Sequence, residues 1–312
     1  MTDRATPAIL SSIDLGTNTC LMLVGTRQGQ GYPIDVIADF ATVVRLGEAV
    51  DRNRCFSDAA MQRTLECLTR YSIELKKLGG DPANTVAVAT SGSRDSTNRE
   101  AFFDRIRDKT GFQFKLISGE DEARLTHLGG LLPGMDPSLT AILDIGGGST
   151  ELRLASGGLS LDMGSVRFTE RFQKSDPITD TDFWMMQESI DTALQSSGLP
   201  DWRQHSSPET QLCAVAGTAT TLAAWFLELE KFDAQKIDRL TLSRGDIHRQ
   251  VEELKWRTVR ERERLPGVEP GRADVLLAGA LILWRTMELL RFERVTISTR
   301  GLRYGVLNEK AF

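Results

Sequence analysis

Two short stretches bring together the residue types needed to handle phosphate. In "DLGTNT" (14–19), Asp14 closes an apolar run and is followed by Gly16, Thr17, Asn18 and Thr19. In "DIGGGSTE" (144–151), Asp144 closes another and is followed by Gly146, Gly147, Gly148, Ser149, Thr150 and Glu151. A hairpin turn explains Gly16 and Asn18, which tolerate positive φ. It does not explain a carboxylate at the inner end of an apolar strand, which requires a partner or an ion. Glycine turns let backbone amides approach an anion closely, and small hydroxyls add donors, so the pattern suits a phosphate with its Mg²⁺. A third turn, Gly217-Thr218 in "VAGTATTLAA", leads from a strand into a helix. It offers either a helix N-terminus for an anion or a plain cap. Arg94 in "ATSGSRDSTN", and Arg300 and Arg303 in "STRGLRYG", are arginines that could meet phosphates or remain on a solvated surface.

The elements that must position these residues read as one pattern written twice. Strands are predicted at 8–14, 20–26, 34–40, 85–90 and 112–117, and helices at 57–78, 98–109 and 120–131, giving the order βββαβαβα. Leu132-Pro133-Gly134 breaks the chain and a similar order restarts. Strands then fall at 139–144, 151–155, 159–163, 212–216 and 294–298, with helices at 180–195, 218–230 and 273–290. The repeat of both pattern and Asp-Gly loop indicates an internal duplication. The expected fold is α/β, with two domains, each on a mixed sheet, facing across a central cleft where strand ends bind ligands. The expected division is 1–132 and 133–301, with a helical insertion about 231–270 and a last helix about 302–312 packing back on the first domain. The charged run at 255–265 reads as a solvated helix face, and the aromatic and Met residues at 182–190 and 280–290 as core.

Composition narrows the functional classes. The 312 residues carry 43 acidic and 38 basic side chains for a net charge of −5, which argues against a nucleic-acid-binding surface. No stretch approaches the roughly 18 apolar residues of a membrane span, and the first residues lack an apolar signal segment, so a cytoplasmic location is expected. The four cysteines form no C-x-x-C pair and read as free thiols, and three scattered histidines do not suggest a zinc site.

"ISGEDEAR" (117–124) places Glu120, Asp121 and Glu122 at a helix start, where acidic residues suit the dipole. With "DLGTNT", "ATSGSRD", "LDIGGGSTEL", "MGSVRFTERF" (163–172), "AGTATTLAA", "LPGVEPGRADVLLAGALIL" (265–283) and "STRGLRYGVL", it spans nearly the whole chain. In these motifs the sequence resembles the exopolyphosphatase/guanosine pentaphosphate phosphohydrolase (Ppx/GppA) family, of the actin-like (ribonuclease H-like) ATPase superfold. The similarity is to the short, two-domain members. Tyr304 stands where many members have Glu, and "SGS" (91–93) departs from the usual loop while keeping Arg94.

The resemblance implies phosphate binding by Asp14–Thr19, Arg94 and Gly146–Ser149, and the helix start at Gly217-Thr218 is read from its own residues as a further phosphate-binding turn. The resemblance implies Mg²⁺, or another divalent cation such as Mn²⁺, held by Asp144 and Glu151 with Asp14. It implies Glu122 as the catalytic base, bordering the cleft opposite 146–148, for release of the terminal phosphate of inorganic polyphosphate or of the 5′-γ-phosphate of pppGpp. It is compatible with a homodimer. Two other functions fit the same residues: a polyphosphate/ADP phosphotransferase or ATPase, and a non-catalytic sensor of guanosine penta- or tetraphosphate.

Overall fold

The structure, a computed structural model, describes residues 8–27, 34–269 and 271–309. The first seven residues of the N-terminal reading, and 310–312 of the predicted last helix, lie outside the described residues.

The chain forms two compact units, 1–118 with 302–312, and 119–301. In unit 1, β1 (Ile9–Leu15), β2 (Thr19–Thr26) and β3 (Asp35–Val43) form an antiparallel meander, and β4 (Val86–Ala89) and β5 (Phe114–Leu116) add in parallel, giving the sheet order β3-β2-β1-β4-β5. Helices α1 (Val50–Asn53), α2 (Asp58–Lys77), α3 (Ser91–Arg94) and α4 (Arg99–Thr110) complete it. Ser57 caps α2 by accepting from the Ala60 amide, and Lys76 and Lys77 suit its C-terminal dipole. The core joins Ile13, Leu15 and Met22 to Leu65, Leu68, Phe102 and Ile106. From the far end of the sequence, α14 (Leu302–Asn308) packs on β1 and β2. Ser12 Oγ donates to the Arg303 carbonyl at 2.7 Å. Arg303 Nε and Nη2 each reach an Asp39 oxygen at 2.8 Å.

Unit 2 repeats the plan. It begins with α5 (Gly119–Gly130), then β6 (Thr140–Ile145), β7 (Thr150–Leu154) and β8 (Gly157–Leu161), again an antiparallel meander. Helices α6 (Ser165–Phe172), α7 (Asp180–Ser196) and α8 (Leu199–His205) lead to β9 (Gln211–Val215) and α9 (Ala216–Phe226). Then come α10 (Ala234–Ile237), β10 (Thr241–Ser243), α11 (Arg244–Trp256), α12 (Val259–Arg262), α13 (Leu276–Leu289) and β11 (Arg294–Ile297). The sheet order β10-β11-β9-β6-β7-β8 matches that of unit 1 strand for strand, with β10 added at one edge. Residues 276–283 of α13 are all buried, which is why that segment is apolar all round.

Three expectations are corrected. The division falls at Ser118/Gly119, not 132/133, because α5 packs on β6, β7 and β8. The stretch 231–270 is not a peripheral insertion: β10 is a sheet member, and Ile247, Val251 and Leu254 of α11 are wholly buried in the core. The charged run at 255–265 is not uniformly solvated. Lys255 is buried against the Phe183 and Trp256 rings and pairs with Asp180, and Arg262 is fully buried, donating twice to the Leu254 carbonyl. The four cysteines are free thiols. No helix among the described residues is long and apolar enough to cross a membrane.

Candidate active site

Both Asp-Gly loops are built by one device. β1 and β2 are joined by a turn in which the Gly16 amide donates to the Thr19 carbonyl at 3.0 Å. β6 and β7 are joined by a turn in which Gly146 donates to the Ser149 carbonyl at 3.0 Å. Among the described residues no backbone carbonyl accepts from the amides of Thr17, Asn18, Gly147 or Gly148. Each turn therefore leaves successive N–H groups without a backbone acceptor, a construction that suits an anion cradle.

The carboxylates of unit 2 converge beside the second turn. Asp144 and Glu151 are register partners across β6 and β7. Asp144 is 9% exposed, Glu151 2% and Glu122, one turn into α5, 7%. Ser160, paired with Glu151 on β8, donates to Glu151 Oε1 at 2.6 Å, while the other oxygen, Oε2, is buried without a hydrogen-bond partner. Burial, and then the charge of Glu122, pushes the Asp144 carboxyl up to about 7. Burial, and then the charges of Glu122 and Asp144, holds Glu151 well above the usual carboxylate range. Buried like charges of this kind require protons or a cation. Glu122 thus lies in the same unit as the glycine turn, not in the other one, as the correction at 118/119 requires.

Among the described residues no group of three or more His, Cys, Asp or Glu side chains could hold a metal ion. The orphaned Glu151 oxygen and the Asp144–Glu151 pair nevertheless fit Mg²⁺, which commonly takes one or two carboxylates and fills its shell with water and phosphate oxygens. Asp14 belongs to unit 1, where it is half-buried.

The glycine turn is held from below. The Ser165 amide donates to the Gly146 carbonyl at 2.9 Å, and the Val166 and Arg167 amides to the Gly147 carbonyl at 2.9 and 3.1 Å. Buried Arg167 adds Nε to the Gly148 carbonyl at 2.7 Å. A Cβ on Gly164 would come within 2.4 Å of the Gly147 carbonyl oxygen, so only glycine permits this approach. Beside it, β9 runs parallel to β6 with Val215 opposite Asp144, which brings Gly217 to the same edge. A Cβ on Gly217 would sit 1.7 Å from Arg272 Nη1, so this guanidinium lies over the start of α9. Thr218 turns instead toward α13, packing against Gly279, and makes no side-chain cap.

In unit 1, Gly92 donates its amide to Thr17 Oγ1 at 3.1 Å, and Arg94, half-buried on α3, donates to the Ile117 carbonyl at 3.1 Å. Arg303 is committed to Asp39 and is not a solvated arginine. Arg167 and Arg272 lie within "MGSVRFTERF" (163–172) and "LPGVEPGRADVLLAGALIL" (265–283), and nothing in the residues around them marks the glycines they reach.

Residues 24–311 match the family described as Ppx/GppA phosphatase. A bifunctional 3-dehydroquinate synthase/phosphatase of Fusobacterium nucleatum is 29% identical over 96% of this chain, which spans 46% of that relative's length. Exopolyphosphatase 2 of Mycobacterium tuberculosis is 31% identical over 95% of this chain and 97% of its own. The crystal structure of an exopolyphosphatase from Cytophaga hutchinsonii superposes with a TM-score of 0.84 at 27% identity, covering 96% of each chain. The two mixed sheets are the actin-like arrangement that the sequence implied.

Proposed function

The chain belongs to the Ppx/GppA phosphatase family, and from that premise we propose that it hydrolyses the terminal phosphoanhydride of inorganic polyphosphate. The observation that carries the reading is the gathering of buried Glu122, Asp144 and Glu151 beside a turn whose amides have no backbone acceptor among the described residues. Two similar proteins named exopolyphosphatase favour polyphosphate over pppGpp.

Phosphoanhydride cleavage passes through a loose transition state, so the protein chiefly positions water and offsets charge. In unit 2, the Gly147 and Gly148 amides bind oxygens of the phosphate chain. Glu122 accepts the proton of the attacking water, which bonds to the terminal phosphorus as the bridging oxygen leaves with its electron pair. Asp144 and Glu151 would hold Mg²⁺ or Mn²⁺, which when bound supplies positive charge to the phosphate oxygens. In unit 1, Arg94 with the Thr17 and Asn18 amides is assigned to phosphate oxygens. Arg272 is added as a phosphate contact at Gly217-Thr218.

The test is release of phosphate from polyphosphate and from pppGpp, measured side by side with Mg²⁺. Release from polyphosphate at the higher kcat/KM supports the reading. Preference for pppGpp would move the substrate to the guanosine nucleotide, and binding of either without release would sink the hydrolase assignment.

A further inference from the structure

We propose that unit 1 carries a second anion site, for a ligand bearing several linked phosphate groups, in the cavity lined by Val43, Arg63, Glu66, Thr69, Arg70 and Lys109. The cavity measures about 540 Å³, a size that admits a small molecule. Three cations and Glu66 line it, and of the cations Arg63 is already paired with Glu48 at 2.8 Å. Arg70 and Lys109 are exposed and have no hydrogen bond or ion pair among the described residues, whereas nearby Lys77 and Arg107 are paired with Glu74 and Asp104. The Arg70 charge is felt by the buried Cys67 thiol, one of whose weaker influences it is.

Spacing identifies the ligand class. Arg63 and Arg70 lie two turns apart on one face of α2, about 10 Å along its axis. Lys109 stands in the last turn of α4, which packs on α2. A single phosphate cannot span them, and a linked series can. Guanidinium forks and an ammonium together are the usual receptors for such a chain.

The cavity is wired to the first Asp-Gly turn. Arg63 Nε donates to the Val44 carbonyl at 3.0 Å and Nη2 to that of Arg45 at 3.3 Å. The Val44 and Arg45 amides each donate to the Asn18 carbonyl at 2.9 Å, and Gly47 to that of Thr17 at 2.8 Å. Val43 is the register partner of Thr19. Arg45 holds a left-handed φ of 51°, so this strap is strained where Arg63 grips it. A phosphate chain that draws Arg63 outward competes with those carbonyls and with Glu48, to which Nη2 donates at 2.8 Å, and shifts the Thr17-Asn18 amides.

The experiment is calorimetric titration of the full chain, without divalent cation, using tripolyphosphate and adenosine triphosphate as separate probes. The wild type should show two binding events with at least one probe. The Arg70→Ala/Lys109→Ala double variant should lose one of them, weakened by about tenfold or more, and Arg70→Lys/Lys109→Arg should restore it. Loss with tripolyphosphate alone marks an inorganic chain as the ligand, and loss with the nucleotide alone marks a nucleoside polyphosphate. A single event in the wild type, or unchanged stoichiometry and affinity in the double variant, would overturn the site. Neither readout requires turnover, so a failed hydrolase assignment leaves this result standing, and the converse holds too.

Discussion

The turn after β1 and the turn after β6 share a hydrogen bond, a strand register and an Asp, yet they are supported differently. The first is strapped by the segment 44–47, whose amides reach the Thr17 and Asn18 carbonyls. The second rests on the amino end of α6, whose amides and Arg167 take the carbonyls of Gly146, Gly147 and Gly148. The first has one half-buried carboxylate near it, whereas the second has Asp144 and Glu151, both buried and both destabilised by Glu122. The two turns share one construction, and only unit 2 adds stacked buried carboxylates to it. The proposed hydrolysis uses both turns for binding and the second unit for proton transfer.

The largest effect should come from Glu122→Gln. Polyphosphate turnover is expected to fall by about 10²–10⁴-fold with binding within a few-fold, measured by phosphate release and calorimetry. Wild-type kcat would return the two turns to equivalence. Next is the pair Gly164→Ala and Gly47→Ala. The first methyl meets the Gly147 backbone at 2.4 Å, which cannot step aside, and the second meets the Thr17 side-chain methyl at 2.2 Å, which can rotate. Gly164→Ala should cost about 1–3 kcal/mol in chemical denaturation and Gly47→Ala less. The reverse order would mean that the strap of unit 1 is the stiffer support.

A third prediction concerns pH in metal-free protein. The folded-state carboxyl of Asp144 is raised, so its contribution to stability is fully present below its ordinary range near 3.8 and is lost as pH rises through about 7. Unit 2 should therefore lose stability between those values, by thermal denaturation with a chelator present. Asp144→Asn should flatten the slope. Equal slopes in the two proteins would contradict the burial of charge in unit 2. The smallest effect belongs to Tyr304→Phe, which removes a 3.3 Å hydrogen bond to Asp39 and should cost at most about 1 kcal/mol in a denaturant melt. Its kcat should match wild type, and a large drop would bring α14 into the chemistry.

The two Asp-Gly turns were legible in the sequence because a hairpin with glycines is set by local backbone demands. Alternation and turn residues likewise revealed most strands of both sheets. What escaped was decided by distant contacts. Nothing local to Gly119–Gly130 says which sheet that helix covers, so the boundary was set too late and Glu122 was placed with the wrong half. The three-residue β10 is too short to show a period, and it hid a sheet edge within an apparent insertion. Arg262 reads as solvated until the Leu254 carbonyl and the surrounding core are in place. Arg167 and Arg272 act on loop glycines remote in sequence, and only packing brings them there.

The return of α14 to β1 makes unit 1 discontinuous, whereas unit 2 is one unbroken segment. On the ribosome, residues 119–301 can therefore acquire a complete core while unit 1 still lacks its last helix. Until residues 302–309 are made, Ser12 has no Arg303 carbonyl to donate to and Asp39 no guanidinium. Vectorial synthesis thus favours completion of the unit that carries the stacked carboxylates, and the first-made half of the chain is the last to be finished.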